Sequence, residues 1–195
     1  MRTWGAARVR ARLVVSPMLV LLGALLVGAG PGCVAKGAGD ATFESRMTVR
    51  HDFAAISHVL VALIGGLDDD WRKGIQAGLA HRLASCRIRT TTMWPSGLEL
   101  DFLGRARRIA QQNRSGAMLT IECKRSSALD VNYETRRELA FELILIEPRS
   151  GKVIWLVDSK LALTTDANTS DEASAERFAA SIVSRLQADG VLPAC

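Results

Sequence analysis

The sequence predicts an α/β domain in which β-α-β-α-β is followed by a β-hairpin and a C-terminal helix, the helices packing on a five-stranded mixed sheet. Three observations carry this. Short apolar runs rich in β-branched residues alternate with stretches whose apolar residues recur at helical spacing. Two long strand-like runs are separated only by Glu147-Pro148-Arg149-Ser150-Gly151-Lys152, which is turn composition. Acidic or hydroxyl residues stand just before each helical stretch, where free backbone N–H groups need acceptors.

Taken in order, Phe43 to Phe53 alternates weakly and reads as a leading edge strand or an extended lead-in. Ser57 to Ile64 (SHVLVALI) is an apolar run ending at Gly65-Gly66, the pattern of a strand buried on both faces. Asp68-Asp69-Asp70 then opens a helix over about Asp69–Ala84, because Trp71, Ile75, Leu79 and Leu83 share one helical face. The aspartates cap its first N–H groups and complement its dipole. Cys86 to Met93 (CRIRTTTM) is a threonine-rich second strand, closed by Pro95. Ser96 and Glu99 stand at capping-box spacing and predict a helix to about Asn113, with Leu98, Phe102, Ile109 and Asn113 on one side. Gly104 lowers the propensity of that helix.

Ala117 to Cys123 (AMLTIEC) is the third strand, with Ala117, Leu119, Ile121 and Cys123 on one face. Residues 124–134 read as a polar connection. Glu138–Ile146 and Val153–Leu163 form the antiparallel hairpin. Thr169-Ser170-Asp171-Glu172 starts the last helix, whose buried stripe is Ala175, Phe178, Ile182 and Leu186 and which stops before Gly190. Right-handed crossovers make the first three strands parallel, and the hairpin adds two antiparallel ones.

The chain before this domain has its own character. Arg2, Arg8, Arg10 and Arg12 precede an apolar run from Leu13 to Ala29, and the segment closes with Gly30-Pro31-Gly32-Cys33. A basic start, an apolar middle and small residues before a processing point make an export signal. The organisation expected is therefore a signal over 1–32, a tether over 33–42 and one domain over 43–195. Residues 34–41, VAKGAGDA, are small and polar, as a flexible tether would be. The Gly32-Cys33 ending resembles a bacterial lipoprotein signal, which implies a lipid on Cys33, attachment to a membrane and, with Val34 next to the cysteine, an outer-membrane address facing the periplasm. Two other routes stay open: cleavage after Ala35, giving a soluble periplasmic or secreted protein, and an uncleaved anchor, since a span needs about 20 residues.

Removing the signal also changes the charge. Of 25 Lys and Arg, four lie before Cys33, where there is no Asp or Glu; 21 remain against 20 acidic residues, a net of about +1. A nucleic-acid partner needs a basic excess that this balance does not supply. Cys86, Cys123 and Cys195 follow Cys33 and match no zinc spacing, so neither a metal nor another cofactor is expected. Cys86 begins the second strand and Cys123 ends the third, which puts them at opposite ends of a parallel sheet. The last helix returns toward Cys86, so a Cys86–Cys195 disulfide is expected, with Cys123 a small buried hydrophobe.

The strand ending in Gly65-Gly66, the hairpin segment Gly151-Lys152-Val153-Ile154-Trp155 and the closing helix from Leu186 to Gly190 resemble small domains of bacterial envelope lipoproteins. These include the amino-terminal domain of TolB, the curli-secretion lipoproteins and the lipoprotein activators of penicillin-binding proteins. The resemblance implies an accessory role in the envelope, with an envelope protein as partner, and transfers no active-site residue.

The residues themselves offer weaker candidates. Arg105, Arg107 and Arg108 could dock an acidic partner or lipid head groups, against the reading of a solvated helix face. Trp155, Trp94 and Tyr133 could anchor a protein interface, against burial in the sheet. Asp68-Asp69-Asp70 could hold a cation, but helix capping explains it. Gly65-Gly66 lacks phosphate-loop spacing and is followed by three carboxylates. His51, His58 and His81 are the near-neutral bases, and no nucleophile motif accompanies them. The reading is a non-enzymatic, membrane-tethered binding or assembly accessory. The alternative is a small hydrolase-like enzyme or ligand-binding protein using the crevice at the C-terminal ends of the parallel strands, near residues 65–70, 94–97 and 124–130.

Overall fold

The computed structural model of the chain describes residues 41–48, 56–97, 99–131, 134–165, 170–193 and 195. The expectations for the signal, Cys33, His51 and Tyr133 lie outside the described residues.

The elements are β1 (Ala41–Thr48), β2 (His58–Ile64), α1 (Asp69–Ser85), β3 (Arg89–Met93), α2 (Phe102–Gln112), β4 (Ala117–Val131), β5 (Glu134–Ile146), β6 (Val153–Thr165) and α3 (Asp171–Ala188). One mixed sheet runs β1-β6-β5-β4-β2-β3, with β2 parallel to both β3 and β4 and the other pairs antiparallel. The sheet thus has six strands and not five. The sixth is β1, which begins at Ala41 and covers the outer edge of β6. Its alternation is weak because a bulge between Ser45 and Met47 breaks the period of two.

A second correction concerns residues 124–134, which are not a connection. β4 continues to Val131 and pairs with β5 down to Val131 opposite Glu134, after a bulge between Cys123 and Arg125. Residues 124–128 are exposed, so the side-chain pattern of β4 could not announce this ribbon, which backbone pairing with β5 holds.

α1 and α3 cover one face of the sheet. Asp68 caps α1 by accepting the Trp71 N–H at 2.9 Å, and Ser170 caps α3 by accepting from Ala173 at 3.1 Å. The two helices meet through small residues: a Cβ on Gly78 would stand 2.7 Å from the Ala179 Cβ, and Gly74 faces Ala175 and the Glu172 carbonyl in the same way. This close approach closes the main core, where Phe141 and Phe178 pack with ring centroids 4.5 Å apart beside Trp71, and Phe43 of β1 stacks on Phe178.

α2 lies on the opposite face, over Leu60, Ala62 and Met118, and buries Phe102, Ala106 and Ala110. It starts at Phe102, later than the capping-box spacing implied. Its N-cap Asp101 makes no side-chain cap bond; Glu99 is paired with Arg105 and also accepts from the Ser96 N–H. Because α1 and α2 are crossover helices, both run back from the C-terminal ends of the parallel strands. Ala41 pairs with Leu161 while Ile64 lies level with Glu122, Glu142, Asp158 and Glu44. The first described residue of β1 therefore sits at that same end of the sheet.

Candidate interaction surface

The α2 arginines are placed by the helix register and mostly used within the domain. Arg107 points to the β5–β6 turn, where its Nε donates to the Pro148 carbonyl at 2.8 Å and its Nη2 to the Arg149 carbonyl at 3.0 Å. Gln111 donates to the same Pro148 oxygen at 2.7 Å. Arg107 is thus a clamp between α2 and the hairpin, not part of a free surface, because those turn carbonyls have no strand partner. Arg105 forms a two-pronged pair with Glu99, Nη2 to Oε2 at 2.7 Å, and lies 5.5 Å over the Phe102 ring. That pair holds the Glu99 carboxyl below its ordinary range and the Arg105 guanidinium above its own. Arg108 reaches Asp101 at 3.2 Å on the open surface.

Trp155 is a correction of the same kind. It is fully buried in the sheet, and its indole N–H donates to Asp189 at 2.8 Å. The period of two along β6 sends it to the α3 side with Val157 and Leu161, so it anchors the fold and presents nothing to a partner. Asp189 also accepts from Ser45 and Arg185, each at 3.0 Å. Burial pushes this carboxyl up, but the three hydrogen bonds and the arginine charge outweigh it and hold it below the usual range.

His58 is buried, with Nε2 2.9 Å from Thr91 Oγ1 and Nδ1 3.0 Å from Ser115 Oγ. Both ring nitrogens are satisfied by hydroxyls, so it is a core histidine. His81 is exposed on α1. Cys86 and Cys195 are joined in a disulfide with Cα atoms 5.0 Å apart, and Cys123 remains a thiol. Burial pushes the Cys123 pKa up, which keeps the thiol protonated and weakly nucleophilic.

The crevice beyond the parallel strands is nearly closed. Gly66, Asp68, Trp71, Cys123, Ser126 and Arg137 line a cavity of about 20 Å³, the size of one water and far below ligand-pocket volumes of roughly 300–1,000 Å³. Arg137, which could have turned into it, is paired with Asp171 of α3 at 2.6 Å. Among the described residues no group of His, Cys, Asp and Glu could hold a metal ion.

Beside the exposed polar residues of this end, three large apolar side chains are exposed on the α2 side. Trp94, just past β3, is 39% exposed; Leu103 in the first turn of α2 is 47% exposed, and Leu100 before it is wholly so. These are the exposed large hydrophobics among the described residues. Sequence reasoning named Trp94 but missed the leucines. Spacing gave no signal for Leu103, because Leu103, Ala106 and Ala110 stand at i, i+3 and i+7, which would put Leu103 on the buried stripe.

No protein-family model and no curated protein matches the chain. Solved structures do. The PelC dodecamer from Paraburkholderia phytofirmans aligns with a TM-score of 0.50 at 16% identity, covering 76% of this chain and 99% of that one. Lipoprotein GNA1162 from Neisseria meningitidis gives a TM-score of 0.43 at 14% identity, covering 68% of this chain and 99% of that one. The likeness to PelC is one of fold.

Proposed function

We propose that the chain is a lipoprotein of the bacterial envelope, tethered to the outer membrane through a lipid on Cys33 and facing the periplasm. Its domain is a non-enzymatic accessory that binds an envelope protein during assembly or maintenance. The observation that carries this reading is the basic and then apolar segment ending in Gly32-Cys33, eight residues before the first strand at Ala41. Two others support it. The disulfide between Cys86 and Cys195 suits an oxidising compartment. The exposed apolar residues Trp94, Leu100 and Leu103 suit docking of a partner.

The test is labelling of cells with a radioactive or alkynyl fatty acid, followed by fractionation. The wild-type chain should carry label and stay in the membrane pellet, and Cys33→Ser should lose both. Label that persists on Cys33→Ser removes the lipid assignment.

Self-association is a second reading. The PelC structure of the same fold is a dodecamer, and β1 and β3 are the outer strands of this sheet. Light scattering of the detergent-extracted chain should then give a mass of several chains.

A further inference from the structure

We propose that a hollow on the sheet face opposite α1 and α3 binds a small zwitterion, a ligand with one anionic group and one ammonium several bonds apart. The hollow has a volume of about 290 Å³ and is bounded by Thr42, Arg125, Glu138, Ala140, Lys160 and Ala162. α2 lies on the same side, but over β2 and β4, and it ends against the β5–β6 turn at the other end of the sheet. It therefore leaves this part of the face uncovered. Strand register builds the hollow. Arg125, Ala140, Lys160 and Thr42 stand opposite one another on β4, β5, β6 and β1, and Glu138 stands opposite Ala162 one row further out. Residues opposed in this way share a face. The two alanines put only methyl groups on the floor, and Leu139 and Leu161 between them bury their side chains in the core beneath. Arg125 and Lys160 are two strand spacings apart, about 10 Å, so their long side chains can close on one group seated above Ala140. The hollow is made by the sheet itself, so it exists with or without a lipid on Cys33.

The charges around it select the ligand. One row nearer the β5–β6 turn, Glu122, Glu142, Asp158 and Glu44 stand opposite one another. There Arg46 pairs with Glu142 and Asp158, and Lys124 with Glu122 and Glu142, so the cations of that row are already engaged. Arg125, Lys160 and Glu138, by contrast, enter no ion pair among the described residues. Two cations facing each other suit an anion, and a guanidinium fork matches the oxygens of a carboxylate or a phosphate. Glu138 stands one row on, about 7 Å along the strand, where it meets an ammonium several bonds from that anion. The neighbouring row keeps more carboxylates than cations, which disfavours any ligand of net negative charge. A zwitterion satisfies all three conditions. The volume lies just below the usual range for drug-sized ligands, roughly 300–1,000 Å³, as a ligand of few atoms requires.

The test is titration calorimetry on the detergent-extracted full chain, with glycerophosphoethanolamine and δ-aminovalerate as probes. The first offers a phosphodiester and the second a carboxylate, so the tighter binder names the anionic group. Their N-acetylated forms, which lack the ammonium charge, are the controls. The expected result is a single site that binds the ammonium form about tenfold more tightly, the factor for one charge-assisted hydrogen bond. Arg125→Gln and Lys160→Gln should each weaken binding about tenfold by the same reasoning. Glu138→Gln should erase the preference for the ammonium form and leave the acetylated form unaffected, which a merely structural role would not do. Ala140→Leu fills the floor without changing any charge and should abolish binding. No heat from either probe, equal binding of the acetylated forms, or binding that survives both Arg125→Gln and Ala140→Leu overturns the site and leaves the tether standing.

Discussion

Ser159 lies in β6 between Phe43 and Phe141 with its hydroxyl buried and without a hydrogen-bond partner. A hydroxyl left dry costs more than a methyl group in the same place, so Ser159→Ala should raise stability by about 1 kcal/mol. A higher urea midpoint at unchanged slope is the measurement; a lower midpoint would show that the hydroxyl is satisfied in solution. Asp189 behaves oppositely, because three side chains converge on it. Asp189→Ala strands the buried Trp155 indole N–H and should cost about 2–3 kcal/mol. The pH dependence follows from its lowered pKa. A carboxyl depressed in the folded state stabilises the fold fully above its unfolded value of about 3.9, and that stability is lost as pH falls through the folded value. Acid titration of the melting temperature should therefore fall less steeply below about pH 4 in Asp189→Asn than in the wild type. A parallel loss in both proteins would show that the hydrogen bonds to Asp189 do not survive in solution.

At the scale of elements, the α1–α3 contact decides more than helix propensity does. Alanine is the better helix former by up to about 1 kcal/mol, but a Cβ on Gly78 would meet the Ala179 Cβ at 2.7 Å and the Glu176 carbonyl at 2.8 Å. Overpacking of that kind costs about 1–3 kcal/mol, so Gly78→Ala should destabilise by roughly 1–2 kcal/mol, whereas Gly66→Ala, with open space around it, should stay within about 0.5 kcal/mol. Chemical denaturation of the two variants side by side separates the effects. The elements differ in how much their residues disclosed. The stripe Ala175, Phe178, Ile182 and Leu186 is buried along its whole length, because α3 packs on one flat face and one period describes it. β1 and the outer half of β4 were obscured for a shared reason: each carries a bulge, and a bulge moves side chains to the other face mid-strand. The start of α2 was misplaced although the Glu99 carboxyl accepts from the Ser96 N–H as well as from Arg105: the helix itself begins only at Phe102.

The whole domain is closed at its lower end by Cys86–Cys195, which links the end of α1 to the end of the chain across 109 residues of sequence. Cross-linking so long a loop restricts the unfolded chain, and Cys195→Ser should cost about 2–4 kcal/mol, or roughly 5–15 °C in melting temperature. Calorimetry with and without reductant gives the same number by a second route; no difference between them would show that the bridge is not formed. The candidate site was the least legible part of the molecule. Three arginines in α2 read alike in the sequence, yet Arg107 clamps a turn, Arg105 is spent on Glu99, and only Arg108 stands open at the surface. What each cation is spent on depends on what α2 is laid against, and that is a tertiary fact. Trp155 and Trp94 are likewise indistinguishable by residue type and opposite in burial.

The direction of β1 has a mechanical consequence. β1 starts at the C-terminal end of the parallel strands and runs down the outer edge of β6 from Leu161 to Trp155. A pull on the chain upstream of Ala41 is then directed along the strand, and it loads the ladder from Ala41–Leu161 to Thr48–Trp155 in shear, all bonds together, where a pull across the strand would open them one after another. Phe43 wedged on Phe178 and Ser45 bonded to Asp189 resist the same sliding. A domain hung by its amino terminus from a moving surface would hold its shape under tension.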